Sequence, residues 1–381
     1  MSCERVIIIG GGISGLCSAL ILQKIGINVK VFEQEDAPCT SETGMILGGN
    51  ALKALDYIGV GDRIRKTAIS SNNCTILSES GKTIVDFSYH SRHDFSNFLF
   101  ILHQDFYKIL ADSLDSETLH YAKKLVHFKQ SKHNIQLSFL DGTTIETDYL
   151  IACDGCYSFI RSQLSSSNIA ISNQTYWQGL LEVDEDISDL GYSETWGPRG
   201  RFGIAPMPNK KLYWYAVKNS DGKKDPYEKW ASLDLLFNFF SYHEPIQLIL
   251  EKVKDENIIR KELVELKPLQ QYLYGRVLLL GDSAHIVPSH LGQGASQAIE
   301  DAMYLAMCMK SGKPFHESLI KYERQRLIRT KTVSTEMKRL QSIAQIDKPA
   351  LCSIRNHFLK LVPASFHENK LKGLLDIQLI G

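Results

Sequence analysis

The chain has 381 residues, of which 44% are hydrophobic and 23% are charged, and its 43 basic side chains balance 43 acidic ones. This composition is typical of a globular enzyme with two or three domains, and the lack of a basic excess excludes a general nucleic-acid-binding protein. No apolar run reaches the roughly 18 residues of a membrane span, no signal peptide is recognisable, and the eight cysteines are scattered. We therefore expect a cytoplasmic protein with reduced thiols, without nucleic acid or membrane contact.

A glycine-rich turn lies between two predicted elements at the start of the chain. An apolar strand is predicted at 6–9, Gly-Gly-Gly-Ile-Ser-Gly follows at 10–15, and a helix comes next. A second strand at 29–32 ends at the acidic residue Glu33. Glycines at this spacing allow a tight turn, close approach to a pyrophosphate and helix packing, while the acid binds ribose hydroxyls. We predict that a dinucleotide is held by Gly10, Gly12, Ser14, Gly15 and Glu33.

A second turn, after a strand predicted at 148–152, carries Asp154 and Gly155. Cys153 and Cys156 flank it and form a C-x-x-C pair. A redox-active dithiol needs both thiols at the start of a helix, and here Asp154 and Gly155 occupy the turn instead. We therefore interpret the pair as two ordinary thiols.

Two segments between the motifs have the alternating or aromatic patterns of β-strands. They lie at 71–100 and 173–269, and the second contains a hairpin turn at 208–210. A sheet of this kind can cover a small-molecule substrate. The strands are predicted at 74–77, 83–87, 201–205 and 212–217.

The third motif follows a buried strand predicted at 276–280. The strand ends in Gly-Asp-Ser-Ala-His at 281–285, so Asp282 stands at its carboxyl end. His285 and His290 are candidate metal ligands, but a proline between them breaks the helix that would align them. We predict no metal site.

A helix is predicted to begin at Gln293, just after this motif. Gly292 and Gly294 leave its N-terminal backbone bare, where free N–H groups favour an anion. Small and apolar side chains are predicted on one face of the helix, with Glu300 and Asp301 on the other.

Together the three motifs resemble those of the single-component FAD-dependent monooxygenases typified by para-hydroxybenzoate hydroxylase, near the urate hydroxylase-like and zeaxanthin epoxidase-like members. The resemblance implies an α/β fold in which a Rossmann-like FAD-binding domain carries an inserted β-sheet substrate domain and C-terminal helices. A long basic helix is predicted at 315–340, and a weaker helical tail, predicted to pack on the protein, follows it. The FAD-binding domain is expected at 1–70, 101–172 and 270–345, the substrate domain at 71–100 and 173–269, and the C-terminal helical segment at 346–381.

The resemblance also implies what each motif does. The aspartate of the third motif binds the ribityl chain of FAD, a following proline lies beside the flavin ring, the helix N-terminus contacts the pyrimidine edge, and the middle turn lies near the pyrophosphate. The residues that match these roles are Asp282, Pro288, the backbone of Gly292, Gln293 and Gly294, and Asp154.

The chain departs from the family pattern at a few positions. His103 stands where relatives have an arginine at the start of a helix, and it is expected to approach the FAD phosphates. Leu125 stands where relatives offer backbone to the adenine. Met45 and Gly49 replace a smaller residue and a proline, which leaves open how tightly FAD is held.

The resemblance implies that NADPH or NADH visits transiently to reduce FAD. O₂ then forms a flavin C4a-hydroperoxide that hydroxylates or epoxidises an aromatic or conjugated small molecule. Arg201 and Tyr215 are the candidate substrate residues; Arg201 can pair with an anionic substrate, although a surface position explains it equally well. The alternatives are a flavin-dependent reductase or halogenase of the same fold and a non-catalytic FAD-binding protein. Whatever the function, the protein is expected to be a monomer or a homodimer.

Overall fold

A computed structural model describes residues 4–87, 98–184, 190–220, 225–288, 292–310 and 312–377. His290, which the sequence offers as a metal ligand, lies outside these residues. No helix in the described part of the chain is long and apolar enough to cross a membrane.

A six-stranded, mainly parallel sheet forms the dinucleotide-binding layer, in the order β18-β19-β12-β1-β2-β8. Its central strands are short apolar runs that are buried on both faces, as parallel strands require. Ile9 pairs with Ala152, which pairs with Leu279, so the three predicted motifs begin at one edge of the sheet. The strands are β1 Arg5–Ile9, β2 Asn28–Phe32, β8 Leu119–His120, β12 Tyr149–Ala152, β18 Leu273–Tyr274 and β19 Val277–Leu279.

The helix after the third motif, α8 Gln293–Met309, is buried almost all round. It packs against α1 Ile13–Lys24, α2 Gly49–Ile58 and α9 Phe315–Ala344. The prediction that its acidic residues form a polar face opposite the apolar one is therefore wrong, because Glu300 and Asp301 are both fully buried. Helix α9 covers α8 at both positions.

A seven-stranded sheet combines the two predicted inserts, in the order β17-β13-β16-β15-β14-β5-β6. The first insert joins the second through the parallel pair β14 and β5, and the predicted hairpin turn is confirmed, with Asn209 and Lys210 in the left-handed conformation. The strands are β5 Cys74–Ser78, β6 Thr83–Asp86, β13 Ile169–Glu182, β14 Tyr192–Gly197, β15 Gly200–Met207, β16 Lys211–Asn219 and β17 Ile259–Leu266.

Two three-stranded sheets and further helices complete the α/β fold. The sheets are β3 Gly44–Leu47, β7 Phe98–Leu102 and β4 Ile69–Ser71, and β11 Thr144–Thr147, β10 Ile135–Phe139 and β9 Leu125–Gln130. The remaining helices are α3 Gly61–Thr67, α4 His103–Ala111, α5 Phe159–Leu164, α6 Ser232–Phe239, α7 Ile246–Lys252, α10 Pro349–Leu361 and α11 Ala364–Leu375, with 3-10 turns at Asp255–Asn257 and Gly281–Ser283. The domain boundaries given above stay a prediction.

Candidate functional site

Glycine occupies the positions of the first motif for two different structural reasons. Gly10 has φ +105°, and a Cβ there would lie 2.2 Å from the carbonyl oxygen of Cys153; one at Gly15 would lie 1.9 Å from the carbonyl oxygen of Gly10. Gly12 instead faces open space, with nothing within 4 Å of such a Cβ. Gly12 is also the N-cap of α1 and offers no side-chain cap, so the first N–H groups of the helix remain available to a ligand.

Glu33 holds the first turn and lines the adjoining cavity. Its carboxylate accepts hydrogen bonds from the backbone N–H of Gly11 at 2.6 Å and of Glu35 at 3.0 Å. A cavity of about 500 Å³ opens beside it, and Leu125 is among the lining residues, as are Gly10 and Asp154. Glu33 and Leu125 therefore border the same space, as expected for the nucleotide end of a dinucleotide.

Asp154 shapes the middle turn. One of its oxygens accepts the hydroxyl proton of Ser158 at 2.6 Å and the other accepts the N–H of Ile160 at 3.0 Å, which starts α5. Burial raises the pKa of Asp154, and these hydrogen bonds oppose that rise. Arg161 of α5 then donates to the backbone oxygens of Asp282 and Ser283, at 3.3 and 3.0 Å. The middle turn is thus tied to the third motif.

Cys153 and Cys156 are both free thiols. Burial raises the pKa of each, with nearby carboxylates adding to the effect. A redox-active cysteine needs the opposite shift, so the environment agrees with two ordinary thiols.

Asp282 projects into a cleft beside the third motif. Its side chain is open to the cleft while Gly281 and Ser283 on either side are buried. Protein nonetheless surrounds the cleft, and this desolvation raises the pKa of Asp282; Asp301 raises it further, while His285 opposes the rise. A raised pKa marks a carboxylate that gains from hydrogen-bond donors supplied by a ligand.

A buried ionic cluster supports the third motif from behind. Asp301 accepts the N–H of Gly281 at 2.9 Å, His285 at 2.8 Å and the Nε of Arg326 at 2.5 Å. Arg326 also reaches Glu300 at 2.6 Å. Burial alone would raise the pKa of Asp301, but the charge of Arg326 lowers it to about 2. The basic pattern of 315–340 did not distinguish Arg326 from its exposed neighbours.

The cleft itself has a volume of about 470 Å³ and brings together residues from separate elements. His103 lines it, with Nδ1 at 3.4 Å from the Sγ of Cys39. Burial lowers the pKa of His103, and the charge of Lys261 lowers it further. Lys261, on β17, is a lining residue that the sequence analysis missed. The other lining residues include Gly12, Ser14, Asp282, Pro288 and Gly294.

The N-terminus of α8 presents bare backbone. Gly292 has φ +65°, and a Cβ there would lie 1.8 Å from the carbonyl oxygen of Ile46, whereas a Cβ at Gly294 would meet nothing within 4 Å. The side chain of Gln293 is buried and accepts a hydrogen bond from Asn50 at 3.3 Å. No side chain of the described residues caps the helix at Gly292, so its N–H groups face the cleft.

A smaller cavity of about 190 Å³ adjoins α8 and is walled by four tyrosines. Tyr215 lies opposite Gly203 on β15, and a Cβ at Gly203 would be 2.1 Å from the tyrosine ring. The missing side chain lets the Tyr215 hydroxyl reach Glu194, at 2.5 Å. We call this cavity the tyrosine pocket, formed by Tyr176, Tyr192, Tyr213 and Tyr215.

Arg201 lies behind this wall. It is 1% exposed and forms a salt bridge of 2.9 Å with Glu194, and its Nε donates to Gln345 at 2.6 Å. It is not among the described residues that line the tyrosine pocket. Arg201 and Tyr215 are therefore brought together through Glu194, a residue that the sequence analysis did not single out.

The three cavities share walls and form one track. Gly12 and Gly155 line both the nucleotide cavity and the cleft, and Gly294 and Ala295 line both the cleft and the tyrosine pocket. The track offers glycines without side chains, two helix N-termini without a side-chain cap and the accessible carboxylate of Asp282. These features suit an extended dinucleotide whose aromatic ring system reaches the tyrosine pocket. This fold and site define a dinucleotide-binding protein.

Comparison with known proteins agrees. The chain belongs to the family described as FAD binding domain, which matches residues 4–336. It is 28% identical over 361 residues to the aurachin C monooxygenase/isomerase of Stigmatella aurantiaca, with 94% of each chain covered. It is 29% identical over 360 residues to the zeaxanthin epoxidase of Spinacia oleracea, covering 85% of this chain and 52% of that protein, so it spans about half of that relative.

The crystal structure of Klebsiella pneumoniae HpxO complexed with FAD and uric acid has the same fold, with a TM-score of 0.87, 21% identity and coverage of 98% of this chain and 96% of that one. The predicted para-hydroxybenzoate hydroxylase fold is confirmed. The protein is an FAD-dependent monooxygenase, and NAD(P)H is the co-substrate typical of its family. The alternatives within the fold are not favoured.

Proposed function

We propose that the protein hydroxylates or epoxidises an uncharged aromatic or conjugated molecule that carries an O–H or N–H group. The observation that carries this proposal is the tyrosine pocket beside the bare N-terminus of α8, with the charge of Arg201 already neutralised by Glu194. The uric acid named with the HpxO structure is a conjugated heterocycle with N–H groups, which supports the conjugated, N–H-bearing part of this substrate class.

We propose that the predicted motif residues hold FAD along the connected track. Glu33 and Leu125 would border the adenosine, the backbone around Gly12 and His103 the phosphates, and Asp282 the ribityl chain. Bound FAD supplies the activation of O₂ with electrons from NAD(P)H. The remaining members of this proposed site are Gly10, Ser14, Gly15, Asp154, Pro288, Gly292, Gln293 and Gly294.

The hydrogen-bond directions in the pocket support a ligand that donates hydrogen bonds. Tyr192 and Tyr215 both donate to the same oxygen of Glu194, at 2.7 and 2.5 Å. Tyr213 donates to Gln178 at 2.7 Å, which leaves Tyr176 to donate to Tyr213 at 2.8 Å. Their protons are thus used within the wall, and the phenol oxygens keep lone pairs that accept from a ligand.

The same tyrosines stay protonated at neutral pH. Burial raises the pKa of Tyr176, Tyr192 and Tyr215 well above the usual value for a phenol. The pocket therefore offers neutral acceptors. A carboxylate placed there would meet no cation among the described lining residues, because Arg201 lies behind the wall in a salt bridge with Glu194. A carboxylate should be rejected relative to its uncharged analogue.

This specificity can be tested with pairs of aromatic compounds that differ only in a carboxylate. Uncharged phenols and N–H heterocycles should accelerate NAD(P)H oxidation and gain one atom of oxygen from ¹⁸O₂, while the carboxylates should not. In Glu194→Gln, Arg201 loses its counter-charge, so the KM for carboxylates should fall by about tenfold or more. Glu146→Gln, on the exposed strand β11, is the control. Preference of the unmodified enzyme for carboxylates would contradict the proposal.

We further propose that the protein works in a reducing compartment such as the cytoplasm. Every cysteine of the described residues is a free thiol, which supports this location. The oligomeric state of the protein is a separate question, and light scattering would decide between a monomer and a homodimer.

A further inference from the structure

An exposed apolar stripe runs along α10. Four large side chains, three or four residues apart, are open to solvent: Leu351 is 47% exposed, Ile354 64%, Phe358 66% and Leu361 68%. At 100° per residue they lie within an arc of about 80° on one side of the helix. Apolar side chains clustered in this way on a surface mark a site of interaction.

The orientation of this stripe is fixed by the other side of the helix. Arg355 is buried, donates to the backbone oxygens of Ile343, Ala344 and Trp196 at 3.1 to 3.3 Å, and stacks 5.3 Å from the centre of the Trp196 ring. Cys352, on the same side, is also buried. The helix is therefore held by these contacts with its apolar stripe outward.

The segment that carries the stripe is positively charged. Between 348 and 375 there are five basic residues and one acidic residue, although the whole chain is neutral. Phe366 of the next helix adds a further apolar side chain, 53% exposed. An exposed apolar stripe in a segment with an excess of lysines is typical of helices that lie in the interface of an anionic membrane. The charged residues are Lys348, Arg355, Lys360, Lys370 and Lys372, against Glu368. Arg355 is turned inward and Lys370 pairs with Glu336 at 3.1 Å, so these two add less to the surface charge than the other three.

We propose that this C-terminal surface, formed by Leu351, Ile354, Phe358, Leu361 and Phe366, docks on an anionic lipid membrane. Insertion of the apolar stripe and attraction of the lysines to lipid headgroups would act together. A second copy of the chain is the less favourable occupant, because a symmetric contact would place two positively charged segments against each other. The proposal revises the expectation from the sequence, which predicted packing and no membrane contact.

A second exposed apolar face provides an internal comparison. On α6, Leu233 is 63% exposed and Phe237 is 74% exposed. The segment 232–250 contains two acidic residues and no lysine or arginine. Exposure alone therefore does not distinguish the C-terminal surface, whereas its positive charge does.

The helix that follows the stripe, α11, ends beside the tyrosine pocket. Leu375 at the end of that helix is fully buried and packs in one apolar cluster with Ile46, Tyr213 and Tyr215. The C-terminal segment that carries the stripe is thus anchored at its end in the wall of the pocket.

The test is co-sedimentation of the full-length, FAD-loaded protein with vesicles. One set is phosphatidylcholine alone, and the other contains phosphatidylglycerol as the anionic lipid. We expect binding to the anionic vesicles that weakens with salt. Ile354→Glu/Phe358→Glu should reduce the partition coefficient by at least about tenfold, because two apolar side chains that would insert into the lipid are lost. Ser353→Glu/His357→Glu adds the same charges to the polar side of α10 and is the matched control.

FAD absorbance and the unfolding midpoint establish that both variants are folded. Equal loss of binding in the two variants would overturn insertion of the stripe, because charge alone would then explain the attraction. Failure of the unmodified protein to bind anionic vesicles would overturn the proposal outright. So would a dimer in light scattering that only Ile354→Glu/Phe358→Glu dissociates, since a second copy would then cover the stripe. None of these readouts depends on the substrate.

Discussion

Asp282 is the open carboxylate in the cleft, and its hydrogen bond to FAD is proposed from the motif. Asp282→Ala should weaken FAD binding by roughly ten- to a hundredfold, because a hydrogen bond to a charged group contributes about 1.5–3 kcal/mol. Titration of apoprotein with FAD, followed by flavin fluorescence, measures this. Asp62→Ala, which removes a carboxylate that is 94% exposed on α3, should leave FAD binding unchanged.

The pKa of Asp282 adds a pH dependence with a defined sign. Surrounding protein raises this pKa in the ligand-free site, and donors from FAD would favour the charged form and lower it. Affinity for FAD should therefore be full above the raised pKa and fall as the pH decreases through it, earlier than for an ordinary aspartate. Asp282→Asn should abolish this acid-side loss. An identical acid-side loss in that variant would remove Asp282 from the FAD site.

His103 should give a pH dependence of the opposite sign. Burial and then Lys261 lower its pKa before FAD binds, whereas a phosphate beside it would raise the pKa. Protonation would then favour the complex, so the contribution of His103 is present below the free-state pKa and fades as pH rises through the bound-state pKa. Calorimetry in buffers of different ionisation enthalpy should show that a proton is taken up on FAD binding at pH values between the free-state pKa and the bound-state pKa of His103.

His103→Arg isolates this effect because arginine keeps its charge throughout. We expect it to tighten FAD binding mainly at alkaline pH and to remove the proton uptake. Parallel pH profiles for the two proteins would show that His103 does not contact the phosphates, and that its contact with Cys39 is its main role.

At the scale of elements, α8 and α9 are joined by a buried ionic cluster rather than by apolar contacts alone. Arg326→Met should destabilise the protein by about 3–5 kcal/mol, because Glu300 and Asp301 would remain buried with too little positive charge. The cluster also holds the N–H of Gly281, so FAD retention should fall with stability. Urea unfolding of the FAD-loaded protein measures both the free energy of unfolding and the release of FAD.

Arg324→Met is the matched control on the same helix, since Arg324 is exposed. It should change the free energy of unfolding by less than about 0.5 kcal/mol. An equal effect of the two substitutions would mean that the cluster contributes no more than a surface charge does.

For the whole molecule, local patterns predicted the turns because their constraints act within a few residues. Gly10 and Gly292 need left-handed backbone beside another chain segment, and the sequence shows both the glycine and the flanking strand or helix. Local sequence patterns do not show which residues of two paired strands lie opposite each other. Glu194 lies opposite Gly203 and Arg201 opposite Trp196, so the pair meets diagonally across two strands only after the sheet has formed.

Long-range packing explains the other differences. Acidic residues on a helix predict a solvated face, and only the position of α9 shows that Glu300 and Asp301 are buried against Arg326. Lys261 reaches the cleft because β17 pairs with β13, where Lys261 lies opposite Tyr176, a residue far earlier in the chain. Sequence reasoning therefore predicted the motifs better than the partners that complete the site.

The cleft joins two sheets, and FAD should therefore couple them. Gly12 and Asp282 extend from the six-stranded sheet, whereas Lys261 extends from the seven-stranded one, and all three line the same space. FAD at a hundred times its dissociation constant should stabilise the folded state by about 2.7 kcal/mol. Hydrogen exchange followed by mass spectrometry should show slower exchange in β17 and at the start of α1 when FAD is added. The peptide covering α6, which does not line the cleft, is the control. Protection of α1 with no change in β17 would mean that FAD does not engage the seven-stranded sheet, and Lys261 would then have no part in holding it.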